Sequence, residues 1–101
     1  MEELSFELLT GKKYKVNSVI KTKHMIGLQK VGLLDSGDGT ITEETSKNLL
    51  TNKEGCLFQA IKSIFDLSDK QEKEIEKNIE EVIVKEFLNG IASFFGSLRH
   101  L

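Results

Sequence analysis

Along residues 4–20 the apolar positions fall in two short runs, Leu-Ser-Phe-Glu-Leu-Leu and Tyr-Lys-Val-Asn-Ser-Val-Ile, on either side of Thr10-Gly11-Lys12-Lys13. Partial alternation around a glycine-containing loop predicts a β-hairpin, with Phe6 and Leu8 sharing one face and Tyr14 and Val16 another. Lys12, Lys13 and Lys15 are expected to keep its tip and edge solvated and unattractive to further strands. From Thr22 the spacing of Met25, Ile26, Leu28, Gln29, Val31 and Leu33 fits about three helical turns, interrupted by Gly27 and Gly32. Asp35-Ser36-Gly37-Asp38-Gly39-Thr40 has the composition of a loop.

The second half is helical in pattern. Thr42 followed by Glu43 and Glu44 predicts a helix start, with a hydroxyl cap and negative charge beside the helix dipole. Leu57, Ile61, Ile64 and Phe65 form an apolar stripe on a helix expected to end near Asp66. Ser68-Asp69-Lys70-Gln71 has the form of a capping box, so another helix should begin there. Ile75, Ile79, Val82, Ile83 and Phe87 mark its buried side, and 69–89 reads equally as one helix or as two with a bend near Asn78. Asn89-Gly90 has the look of a helix C-cap. Ile91, Phe94, Phe95, Leu98 and Leu101 then recur at i, i+3, i+4, i+7 and i+10, the spacing of a short amphipathic helix. The fold class expected is α+β, mostly α: a hairpin over 1–21, a loop at 35–41, and four or five short helices over 22–101 packed as a small bundle in a single domain.

At 101 residues, 39% hydrophobic and 30% charged, the chain is long enough and apolar enough to bury a core. The single cysteine, Cys56, excludes an internal disulfide framework and suits a reducing compartment. No run approaches the length of a membrane span, and Met-Glu-Glu-Leu-Ser is acidic where a signal peptide is basic, so a cytoplasmic setting is expected. The net charge of −2 is unevenly divided. Residues 1–30 carry six lysines against three glutamates and the remainder is acidic, a division suited to head-to-tail self-association or to a mixed-charge partner.

The candidate chemistry mostly fails on inspection. Gly37-Asp38-Gly39-Thr40-Ile41-Thr42 matches the middle of a calcium-binding loop, but in that register Leu34, Ser36 and Thr45 occupy the first, third and last ligand positions. Calcium needs six to eight oxygens, so no metal site is expected there. Glu72, Glu76 and Glu80 lack the histidines of a two-metal bundle site, and His24 and His100 have no partners at ligand spacing. These glutamates, with pairs such as Asp69–Lys73 and Glu81–Lys85, read as a solvated helix face. Serine, histidine and acidic residues are present without a nucleophile context, and Thr10-Gly11-Lys12 lacks the upstream glycine of a phosphate loop; neither an enzyme nor a cofactor is expected. The lysines at 12, 13, 15, 21, 23 and 30 offer a modest nucleic-acid patch, which the pI of about 5.7 opposes. The alternative function they support is a small regulatory or inhibitory protein associated with nucleic acid. The strongest binding candidates are Phe87, Ile91, Phe94, Phe95 and Leu98, whose stripe serves equally as core or as a partner-binding face.

The order of features resembles the small tail assembly chaperones of long-tailed bacteriophages and prophages. The resemblance rests on Gly11-Lys12-Lys13-Tyr14-Lys15-Val16 at the hairpin, Met25-Ile26-Gly27-Leu28, the run from Leu57 through Ile64-Phe65-Asp66-Leu67-Ser68-Asp69, and Val82-Ile83-Val84-Lys85-Glu86-Phe87-Leu88-Asn89-Gly90-Ile91. It spans most of the chain, without a catalytic motif and without a counterpart for the glycine-rich loop at 36–39. It implies a protein of the bacterial host cytoplasm that coats the tape-measure protein, recruits tail-tube subunits, forms homo-oligomers and is absent from the finished virion. A client that is long, helical and amphipathic calls for apolar grooves and self-association, and for no reactive groups.

Overall fold

A computed structural model describes residues 4–33 and 41–98, with the backbone alone at Ser97 and Leu98. The expected loop at 35–41 therefore lies, but for Ile41, outside the described residues. The fold is α+β and mostly helical. Strands β1 (Ser5–Leu9) and β2 (Lys12–Val16) form the hairpin, followed by α1 (Thr22–Lys30), α2 (Glu43–Leu50), α3 (Cys56–Ile64), a two-residue strand β3 (Phe65–Asp66), α4 (Asp69–Lys77) and α5 (Val84–Leu98). Short 3-10 turns at Lys53–Gly55 and Ile79–Glu81 connect α2 to α3 and α4 to α5.

Gly11, at φ 79°, turns the hairpin, and its amide donates to the Glu7 carboxylate. The register passes from Glu7↔Lys13 to Leu9↔Lys12, a β-bulge that places Leu8 and Leu9 both inside. Phe6 is partly buried and packs against the same core as Leu8, so the strict alternation fails at Leu9 and not between those two.

The helix expected to run to Asp66 stops at Ile64, and Phe65–Asp66 pairs antiparallel with Val16 and Lys15. The sheet is therefore three-stranded in the order β1-β2-β3, with the lysine-bearing strand at its centre. Opposite charges face each other across it: Glu7 opposes Lys13 and Asp66 opposes Lys15. These acids offset the lysines that were expected to keep the edge unpaired. Buried Asn17 completes the join, its amide donating to the Ile64 carbonyl at 2.9 Å and its side-chain Nδ2 to the Ser63 carbonyl at 3.0 Å. Both acceptors are C-terminal carbonyls of α3 that the helix leaves without partners.

The caps at Thr42 and Ser68 form as the sequence predicts. Thr42 Oγ1 accepts from the Thr45 amide at 3.1 Å. Ser68 and Gln71 exchange bonds, Oγ accepting at 3.2 Å and Oε1 at 2.9 Å. Gly32 ends α1: at φ 83° it allows the Leu33 amide to reach the Leu28 carbonyl and its own amide to reach Gln29, while Leu28 and Leu33 bury together.

Two other glycines depart from expectation. Gly27 lies inside α1, where a Cβ would sit 2.1 Å from Ser63 Oγ, so its hydrogen lets α1 and α3 approach closely. Gly90 is not a C-cap. It lies inside α5 beneath the Phe65 ring, which a Cβ would meet at 2.4 Å. Residues 84–98 are accordingly one 15-residue helix. The break falls earlier: Asn78 closes α4, its Nδ2 donating to the Glu74 carbonyl, and Val82 is extended. The Ile83 amide then donates to the Leu8 carbonyl at 2.8 Å, which anchors the entry to α5 on the free edge of β1. Glu81 and Lys85 stand on opposite sides of this break and do not share a helix face.

The core gathers Leu8, Tyr14 and Val16 from the sheet, Leu28 from α1, Ile61 and Ile64 from α3, Ile75 from α4, and Phe87, Ile91 and Phe94 from α5. Among the described residues no helix is long and apolar enough to cross a membrane.

Candidate functional site

The stripe proposed by sequence as a partner face divides in the structure. Phe87, Ile91 and Phe94 are buried in the core, where α5 lies against the sheet and α3. Of the two roles the spacing left open for these three, core and partner face, their burial is that of core residues. Phe95 is partly buried and meets Phe94 edge to face, 6.1 Å between ring centroids at 79°. The Leu98 side chain lies outside the described residues.

The apolar surface is one step around the same helix. Val84, Phe87 and Leu88 of α5, Leu49 and Leu50 of α2, Ile41 and Leu57 line a groove of about 100 Å³, the size of one aliphatic side chain. Leu57, Leu49 and Phe87 form its buried floor, whereas Leu50 and Leu88 stand 62% and 45% exposed at its mouth. Among the described residues of the predicted stripe, Phe87 is thus the one that touches the groove. The Thr42 cap fixes the start of α2, and the Ile83–Leu8 hydrogen bond fixes the start of α5, so both walls are held by bonds outside the groove. Ser46 is the single polar residue in the lining among the described residues.

Sequence periodicity passed over Leu50 and Leu88 because each follows a buried neighbour, Leu49 and Phe87. Successive residues on a helix point about 100° apart, so an apolar pair cannot lie wholly within one narrow buried stripe. Such pairs were the available signal. Met25-Ile26 on α1 is a third: both side chains face solvent while Gly27 and Leu28 face inward.

A second cleft, of about 370 Å³, lies where the hairpin meets α4 and is lined by Lys12, Lys13, Tyr14, Lys70, Gln71 and Glu74. Tyr14 donates its hydroxyl to Glu74 Oε1 at 2.9 Å, and Lys12 Nζ lies 2.7 Å from the same oxygen. Burial, followed by the hydrogen bond to Glu74 and its negative charge, pushes the phenol up to about 12. Hydrogen bonds from Lys12 and Tyr14 hold Glu74 below the usual carboxylate range. The cluster ties the hairpin to α4. Together with the Lys13–Glu7 and Lys15–Asp66 pairings across the sheet, it places a carboxylate opposite each hairpin lysine.

His24 is buried, and its Nδ1 accepts from the Lys21 amide at 3.0 Å, bracing the first turn of α1. Burial, then Lys23 and Lys21, lowers its pKa, so the neutral ring is favoured. A third cleft beside Cys56, Lys53 and Glu54 includes left-handed backbone at Glu54 and Gly55, and Asn52 just before it in sequence is left-handed too. Asn52 Oδ1 accepts there from the Leu57 amide at 2.9 Å and caps α3. Burial pushes the Cys56 thiol up, the opposite of what a nucleophilic thiolate requires. Among the described residues no three His, Cys, Asp or Glu side chains come together as metal ligands, and Thr45, at the last position of the calcium-like register, is buried as part of the α2 cap. Set beside protein families, curated proteins and solved structures, the chain matches none of them.

Proposed function

We propose that this chain is a protein-binding module of the phage tail assembly chaperone kind, working in the cytoplasm of the bacterial host. It takes an apolar helical stretch of a tape-measure protein into the groove between α2 and α5 and keeps it soluble until tail-tube subunits assemble around it. The observation that carries this reading is the apolar groove with Leu50 and Leu88 exposed at its mouth. A client helix presenting one aliphatic side chain per turn or two fits such a groove, and helix-in-groove binding needs nothing more reactive. The order of elements that resembles the chaperones adds the identity of the client.

The test is co-expression with the tape-measure protein encoded in the same genome, followed by purification on a tag carried by this chain. The two should copurify, and Leu50→Glu with Leu88→Glu should abolish the complex while the helical circular dichroism is unchanged. A wild-type chain that emerges alone, or a gene neighbourhood without tail genes, rejects the reading.

A further inference from the structure

The cleft between the hairpin and α4 carries more positive charge than its carboxylates answer. Among the described residues, Lys12, Lys13 and Lys70 line it against one acid, Glu74. Glu74 is already committed, since one of its oxygens meets both the Lys12 ammonium and the Tyr14 hydroxyl. Glu7, which faces Lys13 across the sheet, is committed too: its carboxylate accepts from the Gly11 amide of the turn. Lys13 and Lys70 are exposed and have no ion-pair partner among the described residues. They come from two elements, Lys13 from β2 and Lys70 from the first turn of α4, and meet at one cleft. Tyr14, 2% exposed, gives that cleft a rigid aromatic floor. Gln71 gives its Oε1 to the Ser68 amide, which leaves its Nε2 hydrogens to donate.

We propose that this cleft binds a phosphate dianion, free or as the monoester of a small molecule, held between Lys13 and Lys70 with the Gln71 amide as a further donor. Three ammonium groups less one carboxylate leave two positive charges in the lining. A phosphate monoester near neutral pH carries about −1.5 to −2, which balances them. The kind of donor also favours phosphate over a carboxylate. Lysine is a point charge that suits a tetrahedral oxyanion approached from separate directions, whereas a planar carboxylate is best met by the arginine fork, and no arginine is in the lining. The volume of about 370 Å³ falls at the small end of small-molecule sites, enough for a phosphate with a compact body attached. A nucleic-acid strand needs a longer basic track, and acids at 69, 72 and 76 interrupt one along α4. The cleft shares no lining residue with the apolar groove, so this inference stands apart from client binding. Because its lysines come from the hairpin and α4, an anion between them favours the docked arrangement of the two and stabilises the fold by mass action.

Titration calorimetry of the full chain with inorganic phosphate, at ionic strength held constant with sodium chloride, tests this. Saturable binding with a Kd of about 1 mM is expected. Ribose 5-phosphate binding more tightly than phosphate assigns the site to monoesters, and equal affinity assigns it to the free ion. Lys13→Gln and Lys70→Gln should each weaken binding about tenfold, one charge-assisted contact being lost in either. Lys73→Gln removes the same charge from an exposed position of α4 outside the lining and should change affinity by less than about twofold. Circular dichroism of the three variants should match the wild type, since all three side chains face solvent. Absence of saturable binding up to about 20 mM phosphate overturns the proposal. So does an equal loss in Lys73→Gln, which would reduce the site to diffuse surface charge. A single-stranded oligonucleotide that binds more tightly than either probe, with a salt dependence spanning several phosphates, overturns it in favour of a nucleic-acid surface.

Discussion

The inward and outward sides of α5 carry similar apolar residues and do different work. Phe87, Ile91 and Phe94 point inward and meet the sheet and α3, whereas Val84 and Leu88 point toward α2 and border the groove. Aromatic weight follows the first side and accessibility the second. The bulkiest side chains are the most valuable ones to bury, since each removes a large apolar area from water, and a small domain has few of them to spare. A binding surface on such a protein is better sought among aliphatic residues out of phase with the buried stripe.

The contrast can be broken by substitution. Phe94→Ala should have the largest effect, costing about 3–5 kcal/mol through lost burial and the cavity left behind, measured by urea unfolding. A loss below about 1 kcal/mol would show that Phe94 is not interior packing. Gly90→Ala comes next, at about 1–3 kcal/mol, because the new methyl meets the Phe65 ring and overpacking outweighs the helix propensity of alanine. A stabilised Gly90→Ala protein would show that α5 and β3 are not in close contact.

Tyr14 probes the same interior without substitution. It is the only tyrosine in a chain with no tryptophan, so the phenolate absorbance reports it alone. Its titration midpoint should lie near 12 in the folded protein, against the ordinary value of 10.0. The raised value means that the fold favours the protonated phenol. That contribution is fully present below about pH 10 and is lost as pH rises toward 12. A midpoint at the ordinary value would mean that the hydroxyl is solvated and its bond to Glu74 absent. His24 has the opposite sign. Its lowered pKa favours the neutral ring, so its contribution is intact above the unfolded value of 6.5 and is lost as pH falls through the lowered one. Thermal unfolding should therefore move to lower temperature on acidification, less so in His24→Gln. The smallest effect on stability belongs to Leu88→Glu, expected within about 0.5 kcal/mol of wild type because the side chain already faces solvent.

Much of the fold is legible in local chemistry. The hairpin, the caps at Thr42 and Ser68, and the Leu57, Ile61 and Ile64 part of the stripe on α3 each depend on neighbours in sequence, and each forms as read. The departures come from contacts made at long range. Gly27 reads as an interruption because glycine is a poor helix former, and Gly90 as a C-cap, yet in the fold each is a point where a helix touches Ser63 or Phe65 too closely for a methyl group. Phe65 and Asp66 continue the apolar pattern of α3, and only the waiting edge of β2 turns them into a strand. The groove was hidden for a related reason: its walls come from residues 41–50 and 79–88, and no periodicity within either segment reveals the other. Glu81 and Lys85 have helical spacing, but the bond from Ile83 to Leu8 pulls the chain out of helix between them.

The two-residue strand β3 bears on the order of folding events. The β1–β2 hairpin closes a loop of a few residues and can form within microseconds. Joining β2 to β3 brings residue 16 to residue 65, a closure with a much larger entropic cost that only two ladder positions and the Asn17 clasp reward directly. That closure becomes favourable once α1 and α3 have met along the Gly27–Ser63 seam and carried residue 64 toward residue 17. Kinetically, the hairpin and the α1–α3 pair would then be separate early units, and the sheet would acquire its third strand only as they dock. Substitutions at Asn17 should mainly accelerate unfolding, whereas a side chain added at Gly27 should slow folding itself.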